Sequence, residues 1–268
     1  MSASPSVTVV ESVSKGFVSG VATVWLLRIL LFVVVIALWE LTAVYLVDPF
    51  WIGRPDEIAV RLLQFFQTGD LVKHAGATLM LALWGLLLSL VVGIPIGILF
   101  GSSAVISETI EPYFLGLYSL PRVALAPLFI LWFGIGEFSK IMMSFSMIVF
   151  VVILNTYEGL RNTDQEMVDM LRAMRASRLY ILRKVLLPSI VPWIFAAIRV
   201  GIGLGLVGAV VGELLGANRG LGWYLEYSAA RLDITGVFAA LAVLMVLGMV
   251  LNEIIKFVEF KIWRSKIS

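Results

Sequence analysis

The chain has 268 residues, 60% of them hydrophobic and 14% charged, with a formal net charge of +2 and a mean hydropathy of +1.01. Soluble domains are about 45–50% apolar and about 25% charged, so this composition excludes a water-soluble fold and defines an integral membrane protein, which long apolar runs of bilayer-spanning length make all-α. It leaves no electrostatic footprint for nucleic acid; the absence of cysteine removes disulfides and thiolate metal sites, and a single histidine, His74, argues against a histidine-based metal site, so no metal is expected.

Residues 1–23 are Ser- and Val-rich and are expected to lie in the cytoplasm or along the membrane surface. The apolar run that follows is too long for a cleavable signal and has no small-residue cleavage site. About 20 apolar residues span a bilayer, and six such stretches are predicted: Val24 to Val47, Ala77 to Phe100, Tyr113 to Phe133, Phe138 to Asn155, Pro188 to Leu215 and Val237 to Val258. In the first, Arg28 is placed to snorkel and Glu40 lies inside. Between the first two, Arg54-Pro55-Asp56-Glu57 reads as a helix start, with Ile58, Leu62, Leu63 and Phe66 giving a short amphipathic helix on the membrane. His74 reads as an interface residue rather than a catalyst.

The third span carries Pro121 and Pro127. Proline removes a backbone donor and clashes with the preceding turn, so a break is expected at each, and a broken helix at membrane depth either lines a path or is a simple kink. Arg122 needs a cavity, an anion or an acidic partner at that depth; it serves either an ion pair or interface role, or an anion path. The fourth span is short, which predicts a kinked bundle.

Residues 163–188 form the one long charged island between apolar spans. Thr163-Asp164-Gln165-Glu166 has the capping-box form, so a helix is predicted from about Asp164. Met167, Met170, Leu171 and Met174 fall on one face, suited first to packing beneath the helix and next to seating in another protein's groove. Ser177 is placed to cap a second run ending at Leu187, and Pro188 admits the next span.

In the fifth span Gly201/Gly205 and Gly208/Gly212/Gly216 give small-xxx-small faces, for contact with another subunit, a narrow route, or packing within one bundle. Arg199 and Glu213 are about 21 Å apart along a helix, so each needs its own partner. Pro121, Arg122, Pro127, Arg199, Gly205, Gly208 and Gly212 are the candidate path residues. Asn218 to Gly222 reads as a turn. Residues 259–268 form a tail; Lys and Arg gather two to one on the side holding both termini and the island, which the positive-inside bias makes cytoplasmic. No phosphate loop and no nucleophile–histidine–acid set is legible, so the chain is not itself an ATPase or any other enzyme.

The island resembles the cytoplasmic loop of binding-protein-dependent ABC importer permeases, whose pattern is Glu-Ala-Ala, three residues, Gly, about nine residues, then an aliphatic and Leu-Pro. Asp169-Met170-Leu171, Arg175 and Leu187-Pro188 stand at those places. Arg175 replaces Gly, and a non-Gly residue at positive φ costs about 1–2 kcal/mol, so the bend is expected at Ala176-Ser177. Ala176-Ser177-Arg178, Ala124-Leu125-Ala126-Pro127-Leu128, Trp132-Phe133-Gly134-Ile135-Gly136-Glu137, Ser139-Lys140 and Arg219-Gly220-Leu221-Gly222 look like the branch importing nitrate, sulfonates, taurine or bicarbonate. The resemblance implies a type I importer permease fold of six transmembrane helices spanning residues 24–258, with a coupling helix between helices 4 and 5. It implies an ATPase-coupling set of Asp169, Met170, Leu171, Arg172, Met174, Arg175, Ala176, Ser177 and Arg178. Implied partners are a second permease copy in a homodimer, two cytoplasmic ATPases carrying ATP and Mg2+, a periplasmic or lipid-anchored binding protein, and the lipid of a bacterial inner membrane. The competing expectation is a membrane scaffold that docks a cytosolic protein and transports nothing.

Overall fold

A computed structural model of the chain describes residues 21–267, all of whose elements are helical. Residues 1–20, most of the expected N-terminal segment, lie outside the described residues. The chain divides into two compact units, Met1–Val60 and Arg61–Ser268. In the first, α1 (Val21–Tyr45) is followed by the short α2 (Pro49–Ile52) and the start of α3 (Pro55–Gln67). Arg54 donates to Glu40 at 3.1 Å and Asp56 at 2.7 Å, which answers the acid inside the first span, and Trp39 Nε1 donates to the Ile52 carbonyl.

The second unit contains α4 (Asp70–Gly101), α5 (Ala104–Ser119), a 3₁₀ turn (Arg122–Leu125), α6 (Ala126–Phe133) and α7 (Glu137–Arg161). The island follows as α8 (Gln165–Ala173) and α9 (Arg178–Ile181), which runs through a wider π turn (Leu182–Leu186) into α10 (Leu187–Leu214); α11 (Leu221–Ala230) and α12 (Ile234–Ile267) complete it. Among the described residues five helices are long and apolar enough to cross a membrane, and six spans result if α5 and the 3₁₀ turn with α6, bent by 80°, count as one.

Glycine contacts fix the directions. Gly85, Gly93, Gly97 and Gly101 of α4 lie against Ser144, Val152, Thr156 and Leu160 of α7, a constant offset that makes the two helices parallel neighbours. The chain between them must therefore return across the bundle, and the bent pair does so. Gly201 and Gly205 of α10 meet Ile148, Gly208 meets Ser144 and Gly212 meets Lys140, which makes α10 antiparallel to α7. The island thus sits at the end where α4 finishes, and the turn before Glu137 and the 215–222 loop sit at the opposite end. At this three-helix seam Met143, Ile148, Val152, Ala197 and Ile202 are buried, with Ala126 and Phe129 of α6 packed alongside.

Several expected boundaries move. The fourth span is not short: α7 is 25 residues long, because Asn155 to Arg161, polar enough to read as loop, continue the helix with Thr156 and Leu160 buried. Most of residues 102–112, read as a loop, belongs to α5. Only Pro121 breaks the third span; Pro127 stands in the first turn of α6, where its missing N–H costs nothing. The buried side of α3 includes Leu62 and Phe65, packed with Ala75, Leu221 and Val243, whereas Leu63 and Phe66 are exposed. α12 carries residues 259–267 as helix rather than a loose tail.

Candidate functional site

At one end of the bundle the island folds as a rigid bracket. Asp164, not Thr163, caps α8: its carboxylate accepts the N–H groups of Glu166 at 2.9 Å and Met167 at 3.3 Å. Thr163 is buried instead, its hydroxyl paired with Ser189 Oγ at 2.7 Å, so the two ends of the bracket are tied at the junction of α7 and α10. Val168, Ile181 and Val185 form a small core with Leu171, Ala176 and Leu186 against it. Ser177 caps α9 by accepting the Tyr180 N–H at 3.2 Å. The π turn falls just ahead of Pro188, whose ring supplies no N–H for a regular α turn.

The bend is made at Arg175, contrary to the expectation that Ala176-Ser177 would make it. Arg175 takes φ 57°, its N–H donates to the Arg172 carbonyl at 2.9 Å and the Ala176 N–H reaches back to Leu171 at 3.0 Å. These are the two bonds of a Schellman motif, and the accompanying apolar contact is present because Leu171 and Ala176 join one cluster. The satisfied carbonyls outweigh a cost of about 1–2 kcal/mol for a side chain at this position.

The bracket divides the methionine face. Leu171 turns with Val168 toward the small core, while Met167, Met170 and Met174 are 45%, 56% and 72% exposed. Asp169, Met170, Arg172, Met174, Arg175, Ser177 and Arg178 all face out, and Arg172 pairs with Asp169 at 3.0 Å. Soft apolar side chains ringed by guanidinium groups make an adaptable contact surface, with no arrangement for covalent chemistry.

The candidate path residues do not gather in one place. Pro121 precedes the 3₁₀ turn at the 80° bend. Arg122 donates Nη2 to the Tyr118 carbonyl at 3.0 Å and lies over the rings of Tyr118 and Phe150, 4.9 and 4.8 Å from their centroids; its Nε has no partner among the described residues. Arg199 pairs with Glu259 of α12 at 3.4 Å. Gly205, Gly208 and Gly212 are buried against α7 and α4 of the same chain.

At the opposite end lies a cluster the sequence reading did not assemble. Glu213, expected to need a partner of its own, is fully buried. Its carboxylate accepts the Thr78 hydroxyl at 2.8 and 2.9 Å and the Gly222 N–H at 2.7 Å; Thr78 Oγ1 accepts the Leu221 N–H at 2.8 Å. His74 Nδ1 accepts the Gly220 N–H at 3.1 Å, and its ring stacks between Phe65 and Trp223. The 218–222 turn is therefore clasped by side chains of α4 and α10. Among the described residues no group of three or more His, Asp or Glu could hold a metal ion.

Five or six apolar spans among the described residues, with an exposed polar bracket between the fourth and fifth, define a multi-pass membrane protein. Residues 93–264 match the family described as the inner membrane component of binding-protein-dependent transport systems, and the chain belongs to it. It is 31% identical over 239 residues to the formylaminopyrimidine transport permease protein ThiX of Halalkalibacterium halodurans, covering 88% of this chain and 95% of that one. It is 30% identical over 219 residues to the taurine transport system permease protein TauC of Escherichia coli, covering 80% of each. A solved structure of the MetNI methionine ABC transporter in an inward-facing conformation superposes with a TM-score of 0.59 at 20% identity, over 72% of this chain and 97% of that one, which establishes the fold as that of a type I ABC importer permease. The chain is a multi-pass inner-membrane permease subunit of an ABC importer, and the scaffold alternative gives way.

Proposed function

We propose that this permease carries a small anionic solute, such as a sulfonate, taurine, nitrate or bicarbonate, as a homodimer served by two cytoplasmic ATPases and a periplasmic or lipid-anchored binding protein. ATP and Mg2+ act on the partner ATPase, which has the phosphate loop this chain lacks. The observation that supports coupling to the ATPases is the exposure of Met167, Met170 and Met174 on a bracket whose other face is packed. Asp169 to Arg178 form the coupling contact. Because the bracket continues through α9 into α10 and is pinned to α7 by Thr163 and Ser189, movement of the ATPases biases two arrangements of the bundle.

In this account the bracket end and the C-terminal end of α12 face the cytoplasm, as the Lys and Arg distribution favours. Pro121, Arg122, Pro127 and Arg199 flank the path, and Gly205, Gly208 and Gly212 act behind it by letting α10 lie close on α7. The test is to purify the tagged chain from its native membrane in mild detergent and identify by mass spectrometry what accompanies it. A stoichiometric protein carrying a phosphate-loop motif is expected; its repeated absence from intact, folded chain would overturn the proposal.

A further inference from the structure

At the end opposite the bracket, a cavity of about 670 Å³ lies between the turn before α7 and the loop after α10, walled by Ile135, Glu137, Lys140, Gly216, Asn218 and Arg219. Lys140 is the unusual member. It is only 8% exposed, and its ammonium has three N–H donors but, among the described residues, one hydrogen-bond acceptor, the Ile135 carbonyl at 3.1 Å. Two carboxylates lie within electrostatic reach, and both are engaged elsewhere: Glu137 pairs with Arg219, and Glu213 accepts from Thr78 and Gly222. A buried ammonium with donors to spare beside a cavity favours an acceptor that enters it. The guanidinium of Arg219 on the same wall keeps donors beyond those Glu137 uses.

We propose that this cavity is a holding site for the sulfonate or carboxylate group of a small anion, with Lys140 as its main donor and Arg219 as the second. The site deepens the import reading, on which it rests for its purpose, by giving the solute's charged group a stopping place at the mouth remote from the ATPases. It draws on the fixed geometry of the clasp: Gly212 lies against the Lys140 stem, and Gly216 against Ile135, so the cavity walls come from the same close helix contact that positions Glu213.

The chain contains no cysteine, so a single introduced thiol reports cleanly. With Asn218→Cys in the full chain in membrane vesicles, the rates of modification by a sulfonate-bearing and a trimethylammonium-bearing methanethiosulfonate are compared, each divided by its rate with a free small thiol. The sulfonate reagent is expected to be favoured by about tenfold, as focusing into a basic cleft allows, and excess methanesulfonate to slow it. Adding Lys140→Gln should cut the preference to within about twofold, and Lys140→Arg should keep it. No preference over the free thiol, or no slowing by methanesulfonate, overturns the site and leaves a water-filled cavity. The competition needs no change at Lys140 and stands even where Lys140→Gln fails to fold. No arm requires transport, so failure here leaves the import reading intact, and failure of the co-purification leaves this result intact.

Discussion

Thr78 donates its hydroxyl proton to Glu213 and accepts the Leu221 N–H with the same oxygen, joining residues 135 and 143 positions away in one buried contact. One side chain thereby satisfies an acid and a backbone donor that are both buried away from the surface. Thr78→Val keeps the shape and removes both bonds. Leaving buried polar groups unpaired costs about 1–3 kcal/mol each, so a loss of about 3 kcal/mol is expected in detergent unfolding followed by tryptophan fluorescence. Thr78→Ser should retain most of the stability.

The clasp also needs its glycines. Gly220 has φ 115°, and a Cβ there would run into the Glu213 carboxylate; at Gly222 it would lie 2.6 Å from the Val210 carbonyl. Gly220→Ala combines backbone strain with a clash and should destabilise by about 2 kcal/mol or more, read as a lower unfolding midpoint. A midpoint at or above that of the parent would remove the clasp from the account.

Arg175 gives the opposite sign. Because it already occupies the left-handed position of a Schellman motif, Arg175→Gly should relieve strain and stabilise the bracket by about 1 kcal/mol. Arg175→Val, branched at Cβ, should do the reverse. Amide exchange in Leu171 to Ala176 measures both, slower in the first and faster in the second.

The glycines of α10 separate by face. A Cβ on Gly208 would stand 2.6 Å from the Ser144 Cα, whereas Gly203 has open space around it. Gly208→Ala should therefore cost about 1–3 kcal/mol by overpacking, while Gly203→Ala should be neutral or gain up to about 1 kcal/mol from helix propensity. Thermal unfolding of the two variants side by side checks the pair.

What was legible in the sequence follows from which forces are local. The apolar spans, Ser177 as a cap and Pro121 as a break depend on a few neighbouring residues and were readable. Asp164 and Thr163 are both competent caps, and only the position of Ser189, far along the chain, decides that Thr163 is drawn inside. The small-residue spacing of α10 was plain, but not that α7 of the same chain fills it. The matching glycines of α4, at 85, 93, 97 and 101, carry the corresponding signal in their spacing. Glu213 was not placed because its partners, Thr78 and the 220–222 backbone, come together only when α4 and α10 are both seated on α7. The methionine face was half resolved by periodicity: the stripe was visible, but its division between Leu171 and the exposed methionines is set by Val168, Ile181 and Val185.

The central claim is that Met170 and Met174, held outward by the bracket, seat the permease on its ATPase. The direct measurement is the amount of phosphate-loop ATPase that co-purifies with the tagged chain carrying Met170→Asp and Met174→Asp together. Both side chains are exposed, so the variant should fold and reach the membrane as the parent does. The account predicts loss of the ATPase by at least about tenfold, since two desolvated carboxylates in an apolar groove cost several kcal/mol. Retention of the ATPase at the parental ratio, with uptake intact, would contradict it.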